Sequence, residues 1–387
     1  MEQLKKRKKI QFDFILAGII IALMAMGLLM LSNATGKPGI EYGSNWLDYI
    51  QAMNKYFFIR HLLWFGIGCV FAGIIMYVDY GAYGRFAGLA YIVVIGLLLV
   101  VLVFGEDVYG QKRLKVGSQE VQPSEIAKLV LIIMMAKDLS NLEKGVTTIK
   151  ELAIILLKAG IPLVLILMQP DIGTAVVYIF IVGVLLFAGG TRMWMLYTIL
   201  GTALVSIVPI WGVLGDVQKL RILTFIDPTL DPTGTGYNVI HSKMAIGSGQ
   251  MLGKGFFNPI AMSQLNYIPV QASDFIFAVT GETLGFAGTS FIVLLFAALI
   301  FRMVYLAYKV EDRFGSLIII GVAAMMFIHI FENVGMSIGI MPVTGIPLPF
   351  FSYGGSSMIT NMMGVGLVEC VWMRRKSAAS ASTLTFR

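Results

Sequence analysis

Charge, cysteine and histidine are all scarce in this 387-residue chain. Charged residues make up 13% of it and hydrophobic residues 57%, about half the charged share of an average soluble domain. No polar stretch is long enough to wrap the apolar segments, which excludes an ordinary water-soluble enzyme and makes lipid the solvent. The two cysteines, Cys69 and Cys370, both fall in apolar runs, so no disulfide framework is available. Three histidines and scattered carboxylates supply no zinc spacing. The net charge of +7 comes with a dense basic run, Lys5, Lys6, Arg7, Lys8 and Lys9, directly before an apolar segment, which marks a cytoplasmic flank; no nucleic-acid partner is expected.

Apolar length is what the chain has in abundance. Segments of about 17 to 25 apolar residues can cross a bilayer as helices. Ten are expected: Phe14 to Ser32, Phe57 to Val78, Phe86 to Phe104, Ser124 to Leu139, Leu152 to Met168, Ile172 to Phe187, Met193 to Leu214, Phe275 to Phe301, Ser316 to Ile340 and Met358 to Trp372. The fourth carries Glu125 and Lys128, the fifth Lys158. The first reads as a retained span, because its apolar core exceeds a signal-peptide h-region and no small-residue cleavage site follows. The fold class is thus an all-α polytopic membrane protein, a single domain over residues 1–387. It has a basic cytoplasmic amino terminus (1–13), one large extracytoplasmic loop (215–273) and a cytoplasmic tail (373–387).

With both termini inside, 17 of the 29 Lys and Arg fall on inner segments and 10 on outer ones, the direction that the positive-inside rule demands. Lys112, Arg113 and Lys115 break the rule in a short outer loop, as if something anionic were handled there. The outer loop holds two Asp-Pro turns (Asp227-Pro228 and Asp231-Pro232) and glycines at 247, 249, 253 and 255, turn-makers that argue for a compact loop.

Ionisable residues at membrane depth mark a cavity, a pair or a site. Asp274 stands where the outer loop enters the eighth span; its bland reading is a helix cap beside Ser273. Glu282 is eight residues on, about 80° round an ideal helix and about 12 Å deeper, which places both acids beside one wet groove. Glu125 and Lys128, in QPSEIAK, are three apart and close enough to pair on one helix face. Asp171, in QPDIGT, reads as a turn cap. His329, Glu332 and Asn333 form a polar group in the ninth span, where a hydrogen-bond cluster fits better than metal ligation. The uncharged stretch PVTGIPLPFFSYGGSS (Pro342 to Ser357), which includes Ser352, cannot lie bare in lipid with unpaired amides, so it is expected to be a folded lid or to line a cavity.

QPSEIAK, QPDIGT, RILTFIDPTLDPTGTGYNVIHSKMAIGSGQMLGKG, SDFIFAVTGETLGF and PVTGIPLPFFSYGGSS resemble, in order and spacing, the signature segments of the SEDS family (shape, elongation, division and sporulation). The resemblance covers nearly the whole chain. It implies a peptidoglycan glycosyltransferase that polymerises lipid II at the outer face of the bacterial cytoplasmic membrane, releases undecaprenyl pyrophosphate and works with a class B penicillin-binding protein. The family's essential aspartate falls on Asp274, with Ser273 in place of a threonine. Glu282 matches the first acid of a Gly-Glu-Glu whose second position is Thr283 here, and the segment's usual Glu and His are Val270 and Ala272. Lys112-Arg113-Leu114 keeps the cation of a basic-tryptophan segment and loses the ring.

Glycosyl transfer needs a base near an acceptor hydroxyl and positive charge near a departing diphosphate. Asp274 is the expected base and Glu282 its modulator, with Arg113, Lys112, Arg221, Lys243 and Lys254 as candidate diphosphate contacts. Glu125, Lys128, Asp171 and Ser352 are candidate structural or cavity residues. No cofactor is required by the sequence; Mg2+ or Mn2+ is compatible with the chemistry, yet no ligand spacing demands one. Two rival readings are a lipid II flippase, suited to the buried charges, and a non-catalytic scaffold of a cell-wall synthesis complex.

Overall fold

The computed structural model describes residues 11–36, 53–108, 111–116, 119–213 and 215–375, so the basic run at 5–9 and most of the cytoplasmic tail lie outside the described residues. A helix covers each of the ten apolar segments: α1 (Phe14–Thr35), α2 (Lys55–Tyr77), α3 (Tyr80–Phe104), α4 (Pro123–Ser140), α5 (Ile149–Leu167), α6 (Ile172–Ala188), α7 (Met193–Val213), α10 (Ile276–Lys309), α11 (Arg313–Ile338) and α12 (Gly355–Arg374). Five of these, α1, α2, α3, α10 and α11, are long and apolar enough to cross a membrane by length and composition alone. Two shorter helices, α8 (Asp216–Ile226) and α9 (Thr235–Ser248), occupy the segment read as a large loop, joined by a 3-10 turn at Pro228–Leu230.

The all-α expectation misses a small sheet. Between α3 and α4 the chain folds into three antiparallel strands, β1 (Glu106–Val108), β2 (Gln111–Val116) and β3 (Gln119–Val121), with Glu106 opposite Arg113 and Leu114 opposite Val121. Strands of three to six residues with charge in the middle give no apolar alternation for a sequence reading to detect.

The helix α11 is central: Leu317, Ile318, Ile319, Val322, Met325 and Met326 are buried. Meanwhile α2 and α3 turn Leu63, Val70, Ile74, Leu89, Ile92 and Val103 outward, a continuous apolar exterior that only a bilayer can satisfy. At one end of the bundle Asp13 caps α1 through Leu16 N–H (2.8 Å) and receives Arg302 from the end of α10, Nη2 to Oδ2 at 2.5 Å. There Glu369, near the end of α12, accepts the Asp13 N–H at 3.1 Å. The beginning of α1 and the ends of α10 and α12 therefore share one end, and the beginning of α12 lies at the other.

Helix α10 is broken at Gly285, whose backbone is left-handed (φ 64°, ψ −165°). The glycine-rich turn after α9 fills the break. Lys254 N–H donates to Glu282 C=O (2.8 Å) and Gly255 N–H to Thr283 C=O (3.0 Å), while Phe286 and Ala287 N–H donate to Gln250 and Met251 C=O (2.8 and 3.0 Å). Backbone groups freed within an apolar surround are thus re-paired by the loop. A Cβ at Gly285 would stand 2.3 Å from Gly253 N. Gly285→Ala is therefore expected to destabilise the protein by about 2 kcal/mol, read as a lowered midpoint of thermal unfolding in detergent; an unchanged midpoint would show that the break is not needed.

Candidate active site

A cavity of about 500 Å3 opens at the end of the bundle away from Asp13, between five pieces of chain that are distant in sequence. Its walls are Arg60 and Trp64 of α2; Arg113 of β2; Gln122, Glu125 and Ile126 at the start of α4; Ser273 and Asp274; and the 345–360 stretch, including Tyr353, Gly354, Gly355 and Thr360.

Asp274 is held from several directions. It does not cap α10: the cap position is Phe275, and no side chain caps that helix. Its backbone instead turns on Val270 C=O, which accepts the N–H groups of Ser273, Asp274 and Phe275. Asn333 Nδ2, on α11, donates to Asp274 C=O at 2.9 Å and to Ile346 C=O at 2.7 Å, joining the aspartate's backbone to the segment after α11. The side chain of Ser352 completes the brace: its Oγ donates to Ser273 C=O (2.6 Å) and accepts Leu348 N–H (2.9 Å). The carboxylate Oδ1 accepts from Ser273 Oγ at 2.9 Å, and among the described residues no hydrogen bond reaches Oδ2. Burial pushes the carboxyl above the usual aspartate range, partly countered by the Ser273 hydroxyl and by the charges of Arg113 and Arg221. A carboxylate with one oxygen fixed and one open to a cavity, more basic than usual, is suited to take a proton.

The other cavity acid is already partnered. Glu125 Oε1 accepts from Lys128 Nζ at 2.6 Å, and the same ammonium lies 2.9 Å from His329 Nε2. Asp171 does not line the cavity. Its Oδ1 caps α6 through Thr174 N–H (3.1 Å), and its Oδ2 accepts from Gln122 Nε2 (2.6 Å), the residue that precedes α4. Lys158 pairs with Asp138 at 2.8 Å. His329, Glu332 and Asn333 do not bond to one another: His329 meets Lys128, Asn333 meets Asp274, and Glu332 is buried beside Thr344 with no hydrogen bond within 3.5 Å among the described residues.

The structure divides the five expected diphosphate cations. Arg113 lines the cavity, and Arg221 acts on Asp274 through its charge. Lys112 Nζ donates to Leu102 C=O at the end of α3 (2.7 Å), Lys243 packs its side chain over Gly339, and Lys254 binds Glu282 at 2.8 Å. Glu282 is fully buried and is not among the cavity residues. Besides Lys254 it accepts the N–H groups of Met262 (2.7 Å) and Ser263 (2.9 Å) and the Ser248 hydroxyl (3.4 Å). The expectation that it shares a groove with Asp274 is therefore corrected: Glu282 ties residues 248–263 to α10. Among the described residues no group of three or more His, Cys, Asp and Glu could hold a metal ion.

Arg60, Trp64 and Thr360 were not expected at the site, whereas Tyr353 belongs to the 342–357 stretch expected to line a cavity. The detectable signal was an arginine just inside the second apolar segment with a tryptophan one turn on, in IRHLLW.

Comparison with known proteins agrees with this architecture. The profile of the cell cycle protein family FtsW/RodA/SpoVE matches residues 13–377. Stage V sporulation protein E of Bacillus subtilis is 33% identical over 370 residues, spanning 93% of this chain and 97% of that protein. Peptidoglycan glycosyltransferase MrdB of Escherichia coli K12 is 33% identical over 371 residues, 95% of each chain. A solved structure described as the structural coordination of polymerization and crosslinking by a peptidoglycan synthase complex superposes with a TM-score of 0.75 at 28% identity, covering 93% of this chain and 97% of the other. The chain belongs to the FtsW/RodA/SpoVE family of cell cycle proteins, the SEDS family.

Proposed function

We infer that this multi-pass membrane protein is a peptidoglycan glycosyltransferase that joins lipid II units into glycan strands, with Asp274 as the base. The relatives' names support the activity, and one observation carries the residue assignment: Asp274 is the cavity carboxylate without an ion-pair partner among the described residues, whereas Glu125 is paired. In the reaction the 4-hydroxyl of the acceptor sugar attacks the anomeric carbon of the donor. A new C–O bond forms, the donor's bond to the diphosphate oxygen breaks, Asp274 Oδ2 takes the hydroxyl proton, and undecaprenyl diphosphate leaves with the electron pair. The charge of Arg113 partly offsets the burial that raises the Asp274 carboxyl, favouring its ionised, proton-accepting form.

All ten apolar helices cross the bilayer in this reading, with both termini cytoplasmic. The support is geometric. The ends of α10 and α12, where Arg302, Arg374 and Arg375 cluster, lie at the end of the bundle opposite the cavity, so the cavity faces outside. A class B penicillin-binding protein is the expected partner, since a crosslinking activity must use the glycan that this site makes. The test supplies purified protein and that partner with labelled lipid II in detergent: a ladder of glycan chains is expected. Movement of lipid II across vesicles without polymer would replace this reading with a flippase, and absence of both would leave a scaffold.

A further inference from the structure

A glycine borders the open side of the Asp274 carboxylate. Gly345 lines the cavity, and a Cβ built on it would stand 3.4 Å from Asp274 Oδ2, with no other heavy atom within 4 Å beyond its chain neighbours. Oδ2 is the oxygen that no hydrogen bond reaches among the described residues, whereas Oδ1 is held by Ser273 at 2.9 Å. Elsewhere close packing explains a glycine. At Gly173, Gly249 and Gly253 a Cβ would meet backbone oxygens at 2.9, 2.0 and 2.1 Å, so the fold itself excludes a side chain. Gly345 differs, because 3.4 Å is ordinary van der Waals contact. A Cβ fits there, and what it takes away is the space beside one carboxylate oxygen.

That space is fixed from both sides. Thr344 C=O lies against Gly173 at the start of α6, and Ile346 C=O accepts from Asn333 Nδ2 at 2.7 Å. The same Asn333 amide holds Asp274 C=O at 2.9 Å, so one side chain of α11 sets the separation between the glycine and the aspartate backbone. Gly345 is itself left-handed (φ 74°), a conformation that glycine adopts freely and asparagine tolerates. Asparagine would meet the backbone requirement and still crowd the oxygen.

We propose that Gly345 is a specificity-determining residue of the acceptor site: it reserves room beside Asp274 Oδ2 for a secondary ring hydroxyl. The inference rests on the glycosyltransferase reading with Asp274 as the base. A secondary hydroxyl brings its ring carbon and two substituted neighbours with it, whereas water brings nothing. Any side chain at 345 therefore handicaps the sugar more than it handicaps water. With water as the acceptor, its oxygen bonds to the donor's anomeric carbon and its proton passes to Asp274, while the bond to the diphosphate oxygen breaks and the diphosphate leaves with the electron pair. The glycine keeps the site a transferase and not a hydrolase.

The test supplies labelled lipid II to purified full-length wild type, Gly345→Ala and Gly345→Asn, each with the penicillin-binding partner, and separates glycan chains from free disaccharide released by hydrolysis. Gly190→Ala is the control for backbone strain. Gly190 is equally left-handed (φ 76°) and lies beside Arg313 at the start of α11, and a Cβ there meets its nearest atoms at 3.7 and 3.9 Å. Both Gly345 variants are expected to lose polymerisation by about 100-fold, the cost that about 1 Å of misplacement carries. The ratio of hydrolysed donor to polymer should rise by about tenfold or more, while Gly190→Ala keeps the ratio of the wild type. An unchanged ratio in Gly345→Asn, with its rate retained or lost, overturns the proposal, because a glycine needed only for the backbone would depress both products together. Polymer from the wild type with that unchanged ratio removes this inference alone; no polymer from the wild type removes the glycosyltransferase reading beneath it.

Discussion

Asp274→Asn is expected to lower the rate of glycan polymerisation by about 100- to 10,000-fold, the usual contribution of a positioned proton acceptor. The substitution keeps the size of the side chain and an oxygen for the Ser273 hydroxyl, so the braces from Asn333 and Ser352, which bind backbone, remain in place. The loss should fall on kcat and leave KM nearly unchanged, because proton acceptance is an interaction of the transition state. Wild-type activity should also rise with pH through a limb lying above the ordinary aspartate range, since burial raises the Asp274 carboxyl and the two arginines only partly offset it. The limb should disappear from the residual rate of the Asn variant. Lipid II polymerisation followed by gel separation of the chains checks both points. A variant retaining more than about a tenth of the rate would remove Asp274 as the base.

The helices of the fold were legible because lipid imposes a length on apolar segments, and all ten coincide with helices. Asp274 was legible for the same reason, as a carboxylate at the border of an apolar run. The position of Glu282 was not. Its expected phase assumed one continuous helix from Asp274 onward. The chain instead runs through turns on Val270 before Ile276, and the turn packed at the Gly285 break engages Glu282 with residues 254–263. Lys254 was misplaced by the same event, because its partner is 28 residues away and no local pattern joins them. Arg60 went unnoticed because its meaning is tertiary: only the packing of α2 on the start of α12 turns a membrane-flanking arginine into a cavity wall. Residues that shape one element could be read from the chain, whereas those that matter through a neighbour needed the neighbour.

Glu282→Ala should be among the most damaging substitutions to stability in the protein. The side chain is fully buried, and its removal deprives the Lys254 ammonium and two backbone amides, Met262 and Ser263, of their acceptor at once. Stranding buried polar groups in this way costs about 3 kcal/mol or more. The damage should appear as a lowered thermal midpoint and as new protease cleavage within residues 249–263, the segment that the carboxylate gathers against α10. Lys254→Met is expected to cost less, since Lys254 is partly exposed and the two amides keep their partner. In the double variant Glu282→Ala, Lys254→Met the effects should fall short of additive, because both substitutions remove the same Lys254–Glu282 ion pair. A normal thermal midpoint with lost polymerisation in Glu282→Ala would reverse the assignment and return this carboxylate to the chemistry. A lowered midpoint, with the surviving folded fraction still polymerising lipid II, would fix it as the tie between residues 248–263 and α10.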